Sequence, residues 1–184
     1  MKSREKSLDF FHRKVYSVSM KKLIALFLFA STTASADVEL PSTNAATCLA
    51  NNIYFEAKGQ SKAGQIAVGL VVMNRMKDSR YPDTVCEVVY QAQYSQWWKD
   101  NHNKDVPVRH RCQFSWFCDG KSDKIHDIKS YARIYQLSTR ILSGRYDGML
   151  EGATHYHADY VNPSWNKEKT LIGQIGDHIF YRWD

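Results

Sequence analysis

The sequence predicts an α+β domain, mainly helical, with a small strand region near the C-terminus. Three observations carry this. Apolar residues recur at helical spacing in two early stretches, 45–58 and 63–77. A third and clearer helical pattern runs from about Asp123 to Ser143 and stops at Gly144. The tail alternates, through "ATHYHADYV" and "TLIGQIGDHIFYRW", and reads as short strands around Gly173 and Gly176.

Taken in order, the first helix is expected from Ala45 to Lys58, capped by Thr43 or Asn44 and closed by Gly59 in the left-handed conformation. The second runs from Ala63 to Lys77 and carries Ile66, Leu70, Val71 and Met73. "DSRYPDT" is a turn around Pro82, and "VCEVVYQ" reads equally as helix or strand. Residues 91–111 hold Tyr94, Trp97 and Trp98 without clear periodicity, so a long loop is expected there. The third main helix has Ile125, Ile128, Ala132, Tyr135 and Ile141 among its apolar positions.

The front of the chain reads differently. Met20-Lys21-Lys22, the apolar run "LIALFLFA" and the small residues ending in Ala34-Ser35-Ala36 have the order of a secretory signal peptide cleaved after Ala36. Residues 1–36 are therefore assigned to an N-terminal extension and leader, and 37–184 to one catalytic-sized domain that is exported to the periplasm or envelope and is not held in a membrane after cleavage. The leader holds seven of the 25 Lys/Arg and two of the 19 Asp/Glu, leaving 18 against 17. A net charge near +1 gives no support to a nucleic-acid partner. The domain is expected to work as a monomer.

All four cysteines, Cys48, Cys86, Cys112 and Cys118, follow the leader. An even number in an exported chain points to two disulfides. Of the three pairings, Cys112–Cys118 closes a short loop, and Cys48–Cys86 ties the first helix to the segment after the second. No C-x-x-C pair favours zinc.

One carboxylate stands out. Glu56, in "NNIYFEAKGQS", lies in the last turn of the first helix beside Tyr54 and Phe55. The helix dipole is negative there, and apolar neighbours also disfavour the ionised form. Both raise the pKa in the direction a general acid needs, although helix position alone fits better an exposed glutamate paired with a basic residue. "CQFSWFCDG" sets Gln113, Ser115 and Asp119 among Phe114, Trp116 and Phe117, a combination of flat apolar faces and hydrogen-bonding groups that suits sugars. "THYHAD" places His155 and His157 on one side of a strand, where they can also be read with Asp159 as metal ligands. No phosphate loop, G-x-S-x-G or H-E-x-x-H is present, and neither a cofactor nor a metal is expected.

Four segments in order, "CLANNIYFEAKGQSKAGQIAVGLVVMNRMKDSRYPDTVCEVVYQ", "QFSWFCDG", "GATHYHADYVNPSW" and "IGDHIFYR", resemble the spore-cortex-lytic type of bacterial cell-wall hydrolase. The resemblance covers about residues 46 to 182. It implies a lysozyme-like catalytic domain acting on peptidoglycan glycan strands. The family's catalytic glutamate, in an I-Y-x-E-A-[RK]-G motif, falls on Glu56. Gln113, Phe114, Ser115, Trp116, Asp119, His155 and Tyr156 become the expected substrate contacts. Where the family often has E-A-R-G-E, this chain has Lys58 and Gln60. No second carboxylate has an equally convincing motif, which favours a lytic transglycosylase over a muramidase. A zinc amidase using His155 and His157, and a non-catalytic glycan-binding module, are the rival classes.

Overall fold

The second helix organises the molecule because it is apolar nearly all the way round. The computed structural model describes residues 43–184; the expected leader and its cleavage point lie outside them. Helix α1 spans Thr43–Ala57 and α2 spans Lys62–Lys77, with every residue from Ile66 to Met73 buried. A helix buried on all sides packs against several partners. Here these are α1, the short α3 (Val85–Val89), and α5 (Ile128–Leu142). The helices cross closely at Gly69, where a Cβ would stand 2.7 Å from Ile141 Cδ1 and 3.0 Å from Ile53 Cδ1. Leu49, Ile53, Val68, Val72, Ile134 and Phe180 fill the core between the layers.

Local chemistry sets the helix ends. Ser61 Oγ accepts from Gly64 N–H at the start of α2, and Thr84 does the same for Glu87 at α3. Helix α5 starts later than Asp123, because Asp127 is its cap and accepts from Ser130 N–H at 3.0 Å. The Asp127 N–H in turn donates to the Tyr54 hydroxyl, tying α5 to α1. Gly144 ends α5 at φ +76°, with Arg145 N–H reaching back to Arg140 O and Gly144 N–H to Ile141 O. Gly59 does not behave this way. It stays out of the left-handed region, and the turn after α1 is closed by Lys58 N–H to Tyr54 O and Gln60 N–H to Ala57 O. Thr43 and Asn44 lie within α1 rather than ahead of it.

The expected loop at 91–111 is ordered. Strand β1 (Ala92–Tyr94) pairs antiparallel with β2 (Pro107–Cys112), and α4 (Gln96–His102) sits between them. None of α4 is buried, and Trp97, 59 % exposed, packs edge-to-face on Trp98. The C-terminal strands form an antiparallel sheet of order β3–β5–β4: β3 is His155–Ala158, β4 Thr170–Ile175 and β5 His178–Arg182. The fold is thus mainly helical α+β. Among the described residues, no helix is long and apolar enough to cross a membrane.

Both expected disulfides are formed, Cys48–Cys86 and Cys112–Cys118. Loop-closure entropy grows with the enclosed length, so the bridge with a separation of 38 should matter more than the one with 6. Replacing Cys48 and Cys86 together by Ser is expected to cost about 4 kcal/mol, and the Cys112/Cys118 pair about 2 kcal/mol. Urea unfolding of the two double variants checks the order; equal losses would contradict it.

Candidate active site

Three chain segments deliver the site. Glu56 comes from the last turn of α1, Arg75 from the last turn of α2, and Tyr156 from the middle of β3. The last turn of α2 also fixes where β3 begins. Asn74 Nδ2 donates to Ala153 O at 2.9 Å and Arg75 Nε to Thr154 O at 2.8 Å. Strand alternation then turns Tyr156 toward α1 and His155 to the opposite side, while His157 also borders the cleft that holds Glu56. The Tyr156 hydroxyl donates to Glu56 Oε2 at 3.0 Å.

Glu56 opens into a cleft of about 530 Å³, walled by Arg75, Gln113–Trp116, Asp119, Lys121, Tyr156 and His178. Burial holds its carboxyl above the ordinary carboxylate range, outweighing the Tyr156 hydrogen bond and the positive charge of Arg75, which both pull it down. Asp119, in the same cleft, is the opposite case. Its carboxylate accepts from Lys121 N–H at 2.8 Å and pairs with Lys121 Nζ at 3.4 Å, which holds its pKa below the usual value. One cleft therefore contains a carboxyl biased toward its acid form and one biased toward its anion.

The aromatic loop plays a different part from the one expected. Phe114 is 2 % exposed and Trp116 8 %. Trp116 stacks on Phe55 at 4.7 Å, and its Nε1–H donates to Asn52 Oδ1 at 3.0 Å. Asn52, Phe55 and Glu56 share one side of α1 at helical spacing. The loop thus braces the turn that carries Glu56, and only small parts of the two rings reach the cleft wall. Gln113 and Ser115 are its exposed polar positions.

Of the expected contacts, Gln113, Phe114, Ser115, Trp116, Asp119 and Tyr156 reach the cleft with Glu56, and His155 does not. Neighbours on a strand cannot both face the same way. His155 lies between Trp165 and Trp183 and shares a hydrogen bond with Thr154 Oγ1. Burial and the nearby cations Arg75, Lys169 and Arg80 push its pKa down to about 4. His157 shares that face against Trp165, with both ring nitrogens engaged, by Ala158 O and Tyr181 OH. Gln60, at the family departure, joins the turn after α1 to the β4–β5 hairpin: its Nε2 donates to Asp177 Oδ2 at 2.9 Å and its Oε1 accepts from Asp177 N–H.

Arg75, Lys121 and His178 are cleft residues that escaped the sequence reading. Arg75 stands on the same stripe as Val68 and Val71, and a charge on an apolar face was the available signal. His178 precedes Phe180 by two on the inward face of β5, and its ring meets Tyr156 at 5.0 Å.

A family model described as Cell Wall Hydrolase matches residues 59–181, and the chain belongs to this family. Glu56 lies three residues ahead of the matched segment. Among curated relatives, the spore cortex-lytic enzyme of Oceanobacillus iheyensis is 36 % identical over 139 residues, covering 76 % of this chain and 42 % of that protein. That of Halalkalibacterium halodurans is 26 % identical over 141 residues, covering 76 % and 35 %. The match spans less than half the length of either relative. A solved structure, the catalytic domain of the germination-specific lytic transglycosylase SleB from Bacillus anthracis, shares the fold with a TM-score of 0.50 at 22 % identity, over 77 % of this chain and 97 % of that one.

Proposed function

We propose that this chain cleaves the glycan strands of peptidoglycan between N-acetylmuramic acid and N-acetylglucosamine as an exported lytic transglycosylase, with Glu56 as both acid and base. The observation that carries the reading is the half-buried Glu56, hydrogen-bonded by Tyr156 and biased toward its protonated form at the wall of an open polar cleft. Membership of the cell wall hydrolase family supplies the substrate class.

In the first half-reaction the Glu56 proton passes to the glycosidic oxygen as the C1–O bond breaks. In the second, the Glu56 carboxylate takes the proton of the muramic C6 hydroxyl while O6 bonds to C1. Glu56 regains its proton, an anhydro ring closes, and no water is consumed. A hydrolase would need a carboxylate to activate water or attack C1. Asp119 is the cleft's other carboxylate, and Lys121 already engages it through backbone and side chain. The ring nitrogens of His157 are likewise occupied, which disfavours an amidase built on His155 and His157.

Digestion of purified peptidoglycan by wild type, Glu56→Gln, Asp119→Asn and wild type with EDTA separates the classes. Soluble glycan fragments are expected from wild type, from Asp119→Asn and with EDTA, and are expected to be lost in Glu56→Gln. Loss with EDTA alone would indicate an amidase, and loss in Asp119→Asn would indicate a two-carboxylate hydrolase.

A further inference from the structure

Arg75 is held more firmly than its salt-bridging capacity requires. Its side chain is 5 % exposed. The guanidinium lies 5.0 Å from the Phe114 ring centroid and 5.2 Å from that of Tyr81, and Nε is spent on Thr154 O. Stacking and one fixed hydrogen bond leave the planar group little freedom. Yet its second edge is unused: Nη1 is buried with no hydrogen-bond partner. A buried unpartnered donor is costly and calls for a role.

The residue walls the cleft that holds Glu56. Among the described residues no ion pair closes between the two. The Glu56 carboxyl is instead hydrogen-bonded by Tyr156. The charged and titratable groups around the pair are Tyr156, His155 and His157 on β3, Tyr160 just after it, Tyr81 after α2, His178 on β5, and Asp119 and Lys121 across the cleft. Of these cations, only Arg75 is both buried and fixed by hydrogen bond and stacking.

We propose that Arg75 is a positioning residue for Glu56: its clamped guanidinium, with one free N–H edge, stabilises the carboxylate left when Glu56 donates its proton and holds it in place to accept the next one. This rests on the reading of Glu56 as the single acid and base. It adds to that reading the group that makes the second half-reaction possible without a second carboxylate. A fixed cation in a poorly solvated wall does this without reorganising at the moment of reaction.

The test is the titration of the Glu56 carboxyl by carbon-13 NMR in wild type, Arg75→Gln and Arg75→Lys, together with pH profiles on peptidoglycan. Gln keeps a donor for Thr154 O and loses the charge; Lys keeps the charge and loses the clamp. The Glu56 pKa is expected to rise by about one unit in Arg75→Gln, the low end of the usual effect of losing an opposite charge. The alkaline limb of kcat/KM should follow it upward, and kcat should fall more than KM changes. Arg75→Lys should lie between Gln and wild type in all three. Were Arg75→Gln not to fold, a Glu56 pKa above wild type in Arg75→Lys would support the proposal and an unchanged one would overturn it. An unchanged Glu56 pKa in folded Arg75→Gln, or a rise in KM with the pH profile fixed, would also overturn it. The NMR shift does not depend on the product formed, so it stands apart from the transglycosylase reading. Reducing ends with a shifted pKa would sink that reading alone.

Discussion

Glu56→Gln is expected to lower turnover on peptidoglycan by about 10²–10⁴-fold or more, because the variant keeps size and hydrogen bonding but has no proton to give. Stability should move the other way. The Glu56 pKa is raised in the folded protein, with burial as the main cause. Both folded and unfolded chains hold the proton at a pH below the unfolded carboxyl value, so the group costs nothing there. As pH rises from that value through the raised one, the unfolded chain ionises first and the folded state is penalised. Gln carries no such penalty. The variant should therefore melt at or above wild type at neutral pH, with the difference vanishing below about pH 4. Wild-type activity should fall as pH climbs through the raised pKa, since only the protonated form donates. A variant with full turnover, or one that melts lower at neutral pH, would contradict this account of the site.

Trp116→Ala should cost about 3–5 kcal/mol of stability, the range for a buried large aromatic. Three losses combine: the stack on Phe55, the packing against Tyr90 and Phe117, and the donor to Asn52 Oδ1. Asn52 is fully buried and its Nδ2 already lacks a partner, so removing the indole leaves both ends of that amide unsatisfied. A domain of this size should melt about 10 °C lower or more. Trp116→Phe keeps the stack and should lose roughly half as much, since only the hydrogen bond and part of the volume go. Activity in the Ala variant should fall through displacement of the Glu56 turn, and low temperature should restore it in part. Unchanged melting with weakened peptidoglycan binding would restore the open sugar platform that the sequence suggested.

The helices that could be read in advance are those that bury a face. In α2 and α5 the apolar residues and the stops at Lys77 and Gly144 were visible, and only the cap of α5 moved, to Asp127. The 91–111 excursion could not be read this way. Helix α4 buries nothing and β1 is three residues long, so neither leaves a periodic trace. Glu56 stood out as an acid ending an apolar helix, but it was the motif around it, not its helix position, that singled it out as the candidate acid. Tyr156 was legible only as a contact. Its hydrogen bond to Glu56 depends on the strand register that Asn74 and Arg75 impose across a gap of 79 residues. The inward indole of Trp116 likewise depends on Asn52, far away in the chain.

The central claim is that one carboxyl performs both proton transfers. The most direct measurement is the mass of the muropeptides released by wild type from purified peptidoglycan. The account predicts 1,6-anhydro-muramic ends, one water lighter than reducing ends, absent from the Glu56→Gln digest. Release of reducing ends alone would contradict it, because water would then be the acceptor and a second group opposite Glu56 would have to activate it.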